Sequence, residues 1–322
     1  MKKKFYLTLD TETATLPFAN EICKNANDKQ KIAIAKPLVY DIGWVVTDTQ
    51  GNVHKKANYL VQETFFVPNV FNTAYYKDKR PIYMQLLKEN KINVATWNEI
   101  IDELLIDLRA VDMTTAYNAC FDFKKAIPFT ERYIENLYSE KYNNWEKVQK
   151  WNCQNLIKGN SSGENPEYLQ PYFTLRGEKF PIVDLWGVAC DRLINIDKYR
   201  NYCIENDLYT ASALYFKTSA ETSFQYLMNK HDFIEEHTAL SDAYIESRIL
   251  AKALKKGKIT PYIQEFPFRN LGTTVSYVNT KKPKYKAKVK IALENYINEK
   301  DGWERTAGYW SNIRNQYYSL GD

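Results

Sequence analysis

The sequence predicts an α/β fold with a central mixed sheet flanked by helices. Two observations carry this. Short stretches rich in aromatic, β-branched and aliphatic residues alternate with longer ones whose apolar residues recur at 3.6-residue spacing. Three strand-like stretches also follow one another at the start, which places an antiparallel meander at one end of the sheet. At 322 residues the chain has room for about two domains, or one with insertions.

Phe5 to Thr13 reads as a buried strand, and Ala19 to Lys31 as a polar loop. Tyr40 to Thr47 is a second strand, Asp48 to Asn52 supplies turn chemistry, and Val53 to Glu63 returns as a third. The clearest helix is Trp97 to Val111, with Ile100, Ile101, Leu104, Leu105 and Leu108 on one face and a capping box in Thr96 and Glu99. Thr114 to Phe123 reads as a strand leading into Asp122. Residues 128–181, first aromatic and charged and then loop-like, read as an inserted helical cover whose aromatics can form a small core or stack on bases. Short helices follow, at Ile182 to Ile194 after Asp184, at Tyr199 to Leu208 and at Ala220 to Met228, the last capped by Thr218 or Ser219. A long helix runs up to Lys256, with Leu240, Ala243, Ser247, Leu250 and Leu254 facing the core and Gly257 closing it. Residues 1–258 thus form one domain, and 259–322 a basic, aromatic extension.

Composition narrows the classes. Hydrophobic residues make up 44% and charged residues 26%, an ordinary globular balance. No apolar run reaches the ~18 residues of a membrane span. Lys2, Lys3 and Lys4 are followed by too few apolar residues for a signal peptide, so a cytoplasmic protein is expected. The five cysteines are scattered without zinc spacing, which points to reduced, buried thiols, Cys120 among them. From Ala251 onward lie 14 of the 44 Lys and Arg but only 6 of the 39 Asp and Glu, so the positive charge is concentrated in the tail. Lys281, Lys282, Lys284 and Lys286, interleaved with Tyr285, read either as a solvated run or as a phosphate-binding surface. The Lys-, Asn-, Ile- and Tyr-rich composition fits an AT-rich bacterial or bacteriophage genome.

The candidate chemistry lies in acids. Asp10 and Glu12 project from the same face of a strand, where two carboxylates repel unless a cation lies between them. Alone, such a pair reads first as a strand end with two solvated acids, and the rest of the chain must overturn that. Asp122 and Asp242 stand at further strand ends or helix starts, with His237 five residues before Asp242. Within one helix, five residues turn about 500°, so His237 and Asp242 would diverge. They converge if His237 sits in the loop before the helix, with Thr238 or Ser241 capping its start.

The ordered set Asp10-x-Glu12, Asn118-x-x-Phe121-Asp122 and His237-x-x-x-x-Asp242 resembles the histidine-containing (DEDDh) branch of the DnaQ-like 3′→5′ exonucleases, over Phe5 to about Leu254. The sister branch carries a tyrosine where Thr238 stands here. The chain departs from the family in its long intervals and in having Ala14-Thr15 where Thr-Gly is frequent. The resemblance implies an RNase H-like fold and two Mg²⁺ or Mn²⁺ ions held by Asp10, Glu12, Asp122 and Asp242. It also implies His237 as general base, an imidazole with an ordinary pKa of about 6.5 being able to accept a proton at pH 7–8. Thr11, Thr13, Asn118 and Phe121, with the four lysines, would contact nucleic acid. The expected activity is hydrolysis of single-stranded 3′ ends to nucleoside 5′-monophosphates, on DNA in preference to RNA. Alternatives are an exoribonuclease, or a non-catalytic nucleic-acid-binding accessory protein on the same fold. The extension could dock a replication protein.

Overall fold

The computed structural model describes residues 3–15, 37–138, 169–300 and 306–321. The polar loop at Ala19 to Lys31 and residues 139–168 of the expected insertion lie outside them. In chain order the strands are β1 (Phe5–Ala14), β2 (Leu38–Asp48), β3 (Val53–Val61), β4 (Asn93–Ala95), β5 (Met113–Ala116), β6 (Tyr172–Leu175) and β7 (Glu178–Asp184). The principal helices are α1 (Arg80–Lys88), α2 (Trp97–Ala110), α3 (Ile127–Tyr138), α4 (Asp197–Glu205), α5 (Ala220–Met228), α6 (Ala239–Lys256), α7 (Thr274–Thr280), α8 (Lys286–Lys300) and α9 (Ala307–Tyr318). The chain packs as two units, Met1–Leu185 with Glu235–Ile263, and Trp186–Ile234 with Gln264–Asp322. The second therefore joins the region of α4 and α5 to the residues read from sequence as a separate extension.

The first unit is a sheet of order β4-β3-β2-β1-β5-β7-β6. β1, β2 and β3 form the antiparallel meander, while β5 pairs parallel with β1 and β7 parallel with β5. This mixed arrangement is consistent with an RNase H-like α/β fold. The β6–β7 hairpin turns through Arg176 and Gly177, both with positive φ, the conformation a two-residue type I′ turn demands. Residues 172–181, taken from sequence as insertion, thus complete the sheet.

Strand alternation assigns the two faces. Trp44 and Gly43 are successive in β2 and point oppositely. Trp44 donates its indole N–H to Asp107 of α2 at 2.7 Å, so α2 covers that face. Ile100, Ile101, Leu104 and Leu108 of α2 share one core with Leu7, Leu9 and Trp44. Each such burial contributes about 1.5–3 kcal/mol. The capping box is present, with Thr96 accepting from the Glu99 N–H and Glu99 reaching back to the Thr96 N–H. Gly43 faces the other side, where the first turn of α6 lies against the sheet. A Cβ on Gly43 would fall 2.6 Å from Leu240 Cα and 2.7 Å from Ala239 C, so only glycine admits this approach.

In the second unit, Ser219 caps α5 by accepting from Thr222 N, and α7 buries Val275, Tyr277 and Val278. Cys120, Cys190 and Cys203 are buried. No helix among the described residues is long and apolar enough to cross a membrane.

Gly43→Ala forces the α6 backbone off the sheet. A loss of about 1–3 kcal/mol in urea denaturation is expected, and a variant as stable as the parent would contradict the close approach.

Candidate active site

β1 presents its acids on the α6 face. Asp10 lies opposite Gly43 and Glu12 opposite Asp41, and a register shift after Glu12 breaks the ladder. Directly opposed like charges destabilise a sheet, so the Glu12–Asp41 pair is a local cost.

Asp122 reaches the same place by a different route from the one expected. The stretch Thr114 to Phe123 is not one strand, because β5 stops at Ala116 and the chain turns at Asn118, whose φ is 70°. Asp184 Oδ1, at the end of β7, accepts the N–H groups of Asn118 (3.1 Å) and Ala119 (3.4 Å), which pulls the backbone out of the sheet. A helical turn follows at once, and Asp122, 2% exposed, sits in its wide π-type portion (Asp122–Ala126). Thr11 Oγ1 donates to Asp122 Oδ1 at 2.6 Å. Thr11, expected to contact nucleic acid, therefore holds a carboxylate.

His237 lies in the loop before α6, with φ of 53°. Its ring stacks on Tyr76, centroids 4.3 Å apart and planes at 14°. Lys79 Nζ donates to the Glu236 carbonyl. The Tyr83 hydroxyl lies 2.9 Å from Asp41 Oδ2 and 3.5 Å from the His237 carbonyl. Thr238 occupies the N-cap position of α6 without a side-chain capping bond. The capping acceptor comes from β2 instead, where Asp41 Oδ2 receives the Ala239 N–H at 2.9 Å. Asp242 then falls in the first turn, with its Oδ2 at 3.8 Å from His237 Nδ1. Glu235 Oε2 is 3.6 Å from the same nitrogen. One turn on, Glu246, 3% exposed, accepts the Tyr117 N–H at 3.0 Å.

These carboxyls are crowded, and all but the half-buried Asp10 and Glu235 are buried. Burial, then the charges of Glu246, Asp122, Asp242 and Glu12, hold Asp10 well above the ordinary carboxylate range. Burial, then Asp41 and Glu235, push Glu12 up to about 9, and burial, then Glu235, Glu12 and Asp41, push Asp242 to about 9. Burial raises Asp122 to about 7 against the hydrogen bond from Thr11, and Asp41 to about 7 against those from Ala239 and Tyr83. Glu246 is raised by burial and then by Asp122. Lys79 is the cation that works against the rise at both Glu12 and Asp242. One ligand atom each from Glu12, His237 and Asp242 lies within 4.8 Å of the others, within reach of a common metal ion.

The structure thus gathers Asp10, Glu12, Asp122, His237 and Asp242 in one unit. Of the other candidates there, Asn118 is exposed, while Thr13 and Phe121 are half-buried. The four lysines lie in the second unit. Lys281 Nζ is 3.9 Å from Asp197, Lys284 lies over the Tyr285 ring, and Lys286 opens α8. Sequence reasoning missed Asp41, Asp184, Glu235 and Glu246. The one available signal was the i, i+4 spacing of Asp242 and Glu246, which places both on one helix face. Compared with known protein families and with curated proteins, the chain matches none.

Each raised carboxyl keeps its proton in the folded state to a higher pH than in the unfolded chain, where 3.8 or 4.5 is ordinary. Their contribution to stability is complete below those ordinary values and is lost as pH rises through about 7 and about 9. Denaturation in chelator should therefore show stability falling from about pH 5 to pH 9; a flat profile would contradict the buried cluster.

Proposed function

We propose that this protein is a metal-dependent 3′→5′ exonuclease of the DnaQ-like, histidine-containing type. It hydrolyses nucleic-acid 3′ ends, DNA in preference to RNA, to nucleoside 5′-monophosphates. The observation that carries this reading is the convergence around Asp10 of Glu12, Asp122 and Asp242, from three separate sequence motifs, with an imidazole beside Asp242.

The residues fit divalent cations. Asp242 Oδ1 is buried, with no hydrogen-bond partner among the described residues, and the donors around Asp10 are carboxylate oxygens, which suit a hard ion such as Mg²⁺ or Mn²⁺. Added positive charge would also relieve the repulsion that raises these carboxyls. Asp10, Glu12 and Asp242 would hold one ion, and Asp10 with Asp122 a second. Bound there, the ions would polarise the phosphodiester and stabilise the developing charge on the 3′-oxygen. His237 would remove the proton of the attacking water. The Tyr76 stack holds its ring plane, and its Nδ1 edge faces Asp242 and Glu235. Thr11 fixes one oxygen of Asp122 through its 2.6 Å bond.

The test uses 5′-labelled single-stranded DNA, duplex DNA and RNA with Mg²⁺, Mn²⁺ or chelator. Shortening from the 3′ end that chelator and Asp10→Ala abolish is expected, with His237→Ala slower by about 10²–10⁴-fold. The fastest substrate separates DNA from RNA. Tight binding without shortening of any substrate would overturn the reading in favour of an accessory protein.

A further inference from the structure

The chain beside His237 displays an aromatic ring that nothing in the described structure covers. Tyr75 is 86% exposed, the most exposed of the large hydrophobic side chains among the described residues. Leaving such a ring in water forgoes the burial energy that a mobile segment could recover by folding over it. This segment is not free to do so. Tyr76 is stacked on His237, and Lys79 is bonded to the Glu236 carbonyl. The Arg80 guanidinium lies over the rings of Phe65 and Phe71, at 5.8 and 5.3 Å. Backbone bonds from Lys77 N to the Ala74 carbonyl (3.3 Å) and from Lys79 N to the Tyr76 carbonyl (2.9 Å) shape the turn. Tyr75 meets Tyr76 edge to face, centroids 4.9 Å apart and planes at 87°. It is thus two ring contacts away from the imidazole, held in place before any partner arrives.

Charge points to the partner. Asp10, Glu12, Asp122, Asp242, Glu235 and Glu246 repel a phosphodiester backbone, so a strand approaching them needs cations at the rim. The turn that bears Tyr75 supplies three, Lys77, Lys79 and Arg80, against one acid, Asp78, and Lys77 is exposed. An exposed aromatic with cations spaced along one short turn matches what single strands use: a flat surface for a base and positive charge for the backbone. A helix- or strand-binding protein partner would call for a contiguous apolar face, which Tyr75 alone does not provide.

We propose that the turn at residues 75–80 is the strand-entry platform of this site, with a base of a single-stranded nucleic acid stacking on Tyr75 and Lys77 contacting a neighbouring phosphate. This rests on the exonuclease reading above and assigns the grip to the first unit rather than to the lysine run at residues 281–286. Tyr75 contributes affinity and Tyr76 alignment of His237, so the two neighbouring tyrosines have separable roles.

The experiment measures binding apart from cleavage. The full-length Asp10→Ala protein is titrated, in Mg²⁺, into single-stranded DNA and RNA oligonucleotides carrying 2-aminopurine near the 3′ end, whose fluorescence falls on stacking. Adding Tyr75→Ala should weaken binding by about 5- to 150-fold, the range that loss of one base–aromatic stack allows, and should abolish the quenching. Tyr75→Trp should keep both, and because the residue is so exposed neither change should disturb the fold. Affinity within twofold of the parent, or no binding of any oligonucleotide by the parent, would overturn the proposal. Cleavage by the wild-type chain is read separately. Shortening from the 3′ end with binding indifferent to Tyr75 removes the platform and keeps the exonuclease. Tyr75-dependent quenching without cleavage removes the exonuclease and keeps a strand-binding surface.

Discussion

Mutual repulsion among buried carboxylates is the constraint around which the first unit is built. Asp10 feels the charges of Glu246, Asp122, Asp242 and Glu12 after the cost of burial itself. A fold selected for stability alone would put apolar side chains there, since buried charge without full pairing is expensive. Lys79 offers one positive charge to several acids, and it reaches them from a turn rather than from the sheet. Two things relieve such repulsion, protons retained to higher pH and positive charge supplied from outside, and the functional reading proposed above rests on the second.

The acids divide by what they hold. Asp41, Asp184 and Glu246 each accept backbone N–H groups, from Ala239, from Asn118 and Ala119, and from Tyr117. They fix two chain reversals, one entering α6 and one leaving β5, and those reversals carry Asp242 and Asp122. Asp122 is held in turn by Thr11. Asp242 retains an oxygen with no hydrogen-bond partner among the described residues. The acids that fasten the backbone therefore place Asp242 beside Asp10 with one oxygen uncommitted among the described residues. Gly43 completes the device, since its missing side chain lets the start of α6 lie directly over the strand next to Asp10.

Much of this was legible in the sequence, and the limits have physical causes. The strand at Phe5 and the helix at Trp97 announced themselves through local period and capping, which depend only on neighbouring residues. Asp122 was read on a strand because Thr114 to Phe123 is apolar enough for one. The chain leaves the sheet only because Asp184, 66 residues on, captures the N–H of Asn118. The cap of α6 was sought in Thr238 or Ser241, within the segment, whereas the acceptor lies 198 residues earlier in Asp41. The hairpin at Tyr172 was hidden by the neighbouring loop-like texture, although Arg176-Gly177 between two alternating runs was a fair turn signal. The candidate acids themselves were readable as an ordered set, but their distances were not, because spacing along the chain carries no information about long-range approach.

The backbone at His237 ties these strands of argument together. A non-glycine residue with φ of 53° carries strain of about 1–2 kcal/mol, and it persists only where its surroundings fix it. Here Tyr76 stacks on the ring, the Tyr83 hydroxyl approaches the carbonyl, Lys79 holds the residue before it, and Asp41 holds the second residue after it. The strain has a geometric purpose. Continuing α6 backward through residue 237 would turn the histidine about 140° away from Asp242, whereas the left-handed residue turns the chain so that Nδ1 comes within 3.8 Å of it. The same turn at residues 75–80 whose Tyr76 and Lys79 contact this strained segment also exposes Tyr75 and Lys77, so the contacts that fix the imidazole and the uncovered ring belong to one short piece of chain.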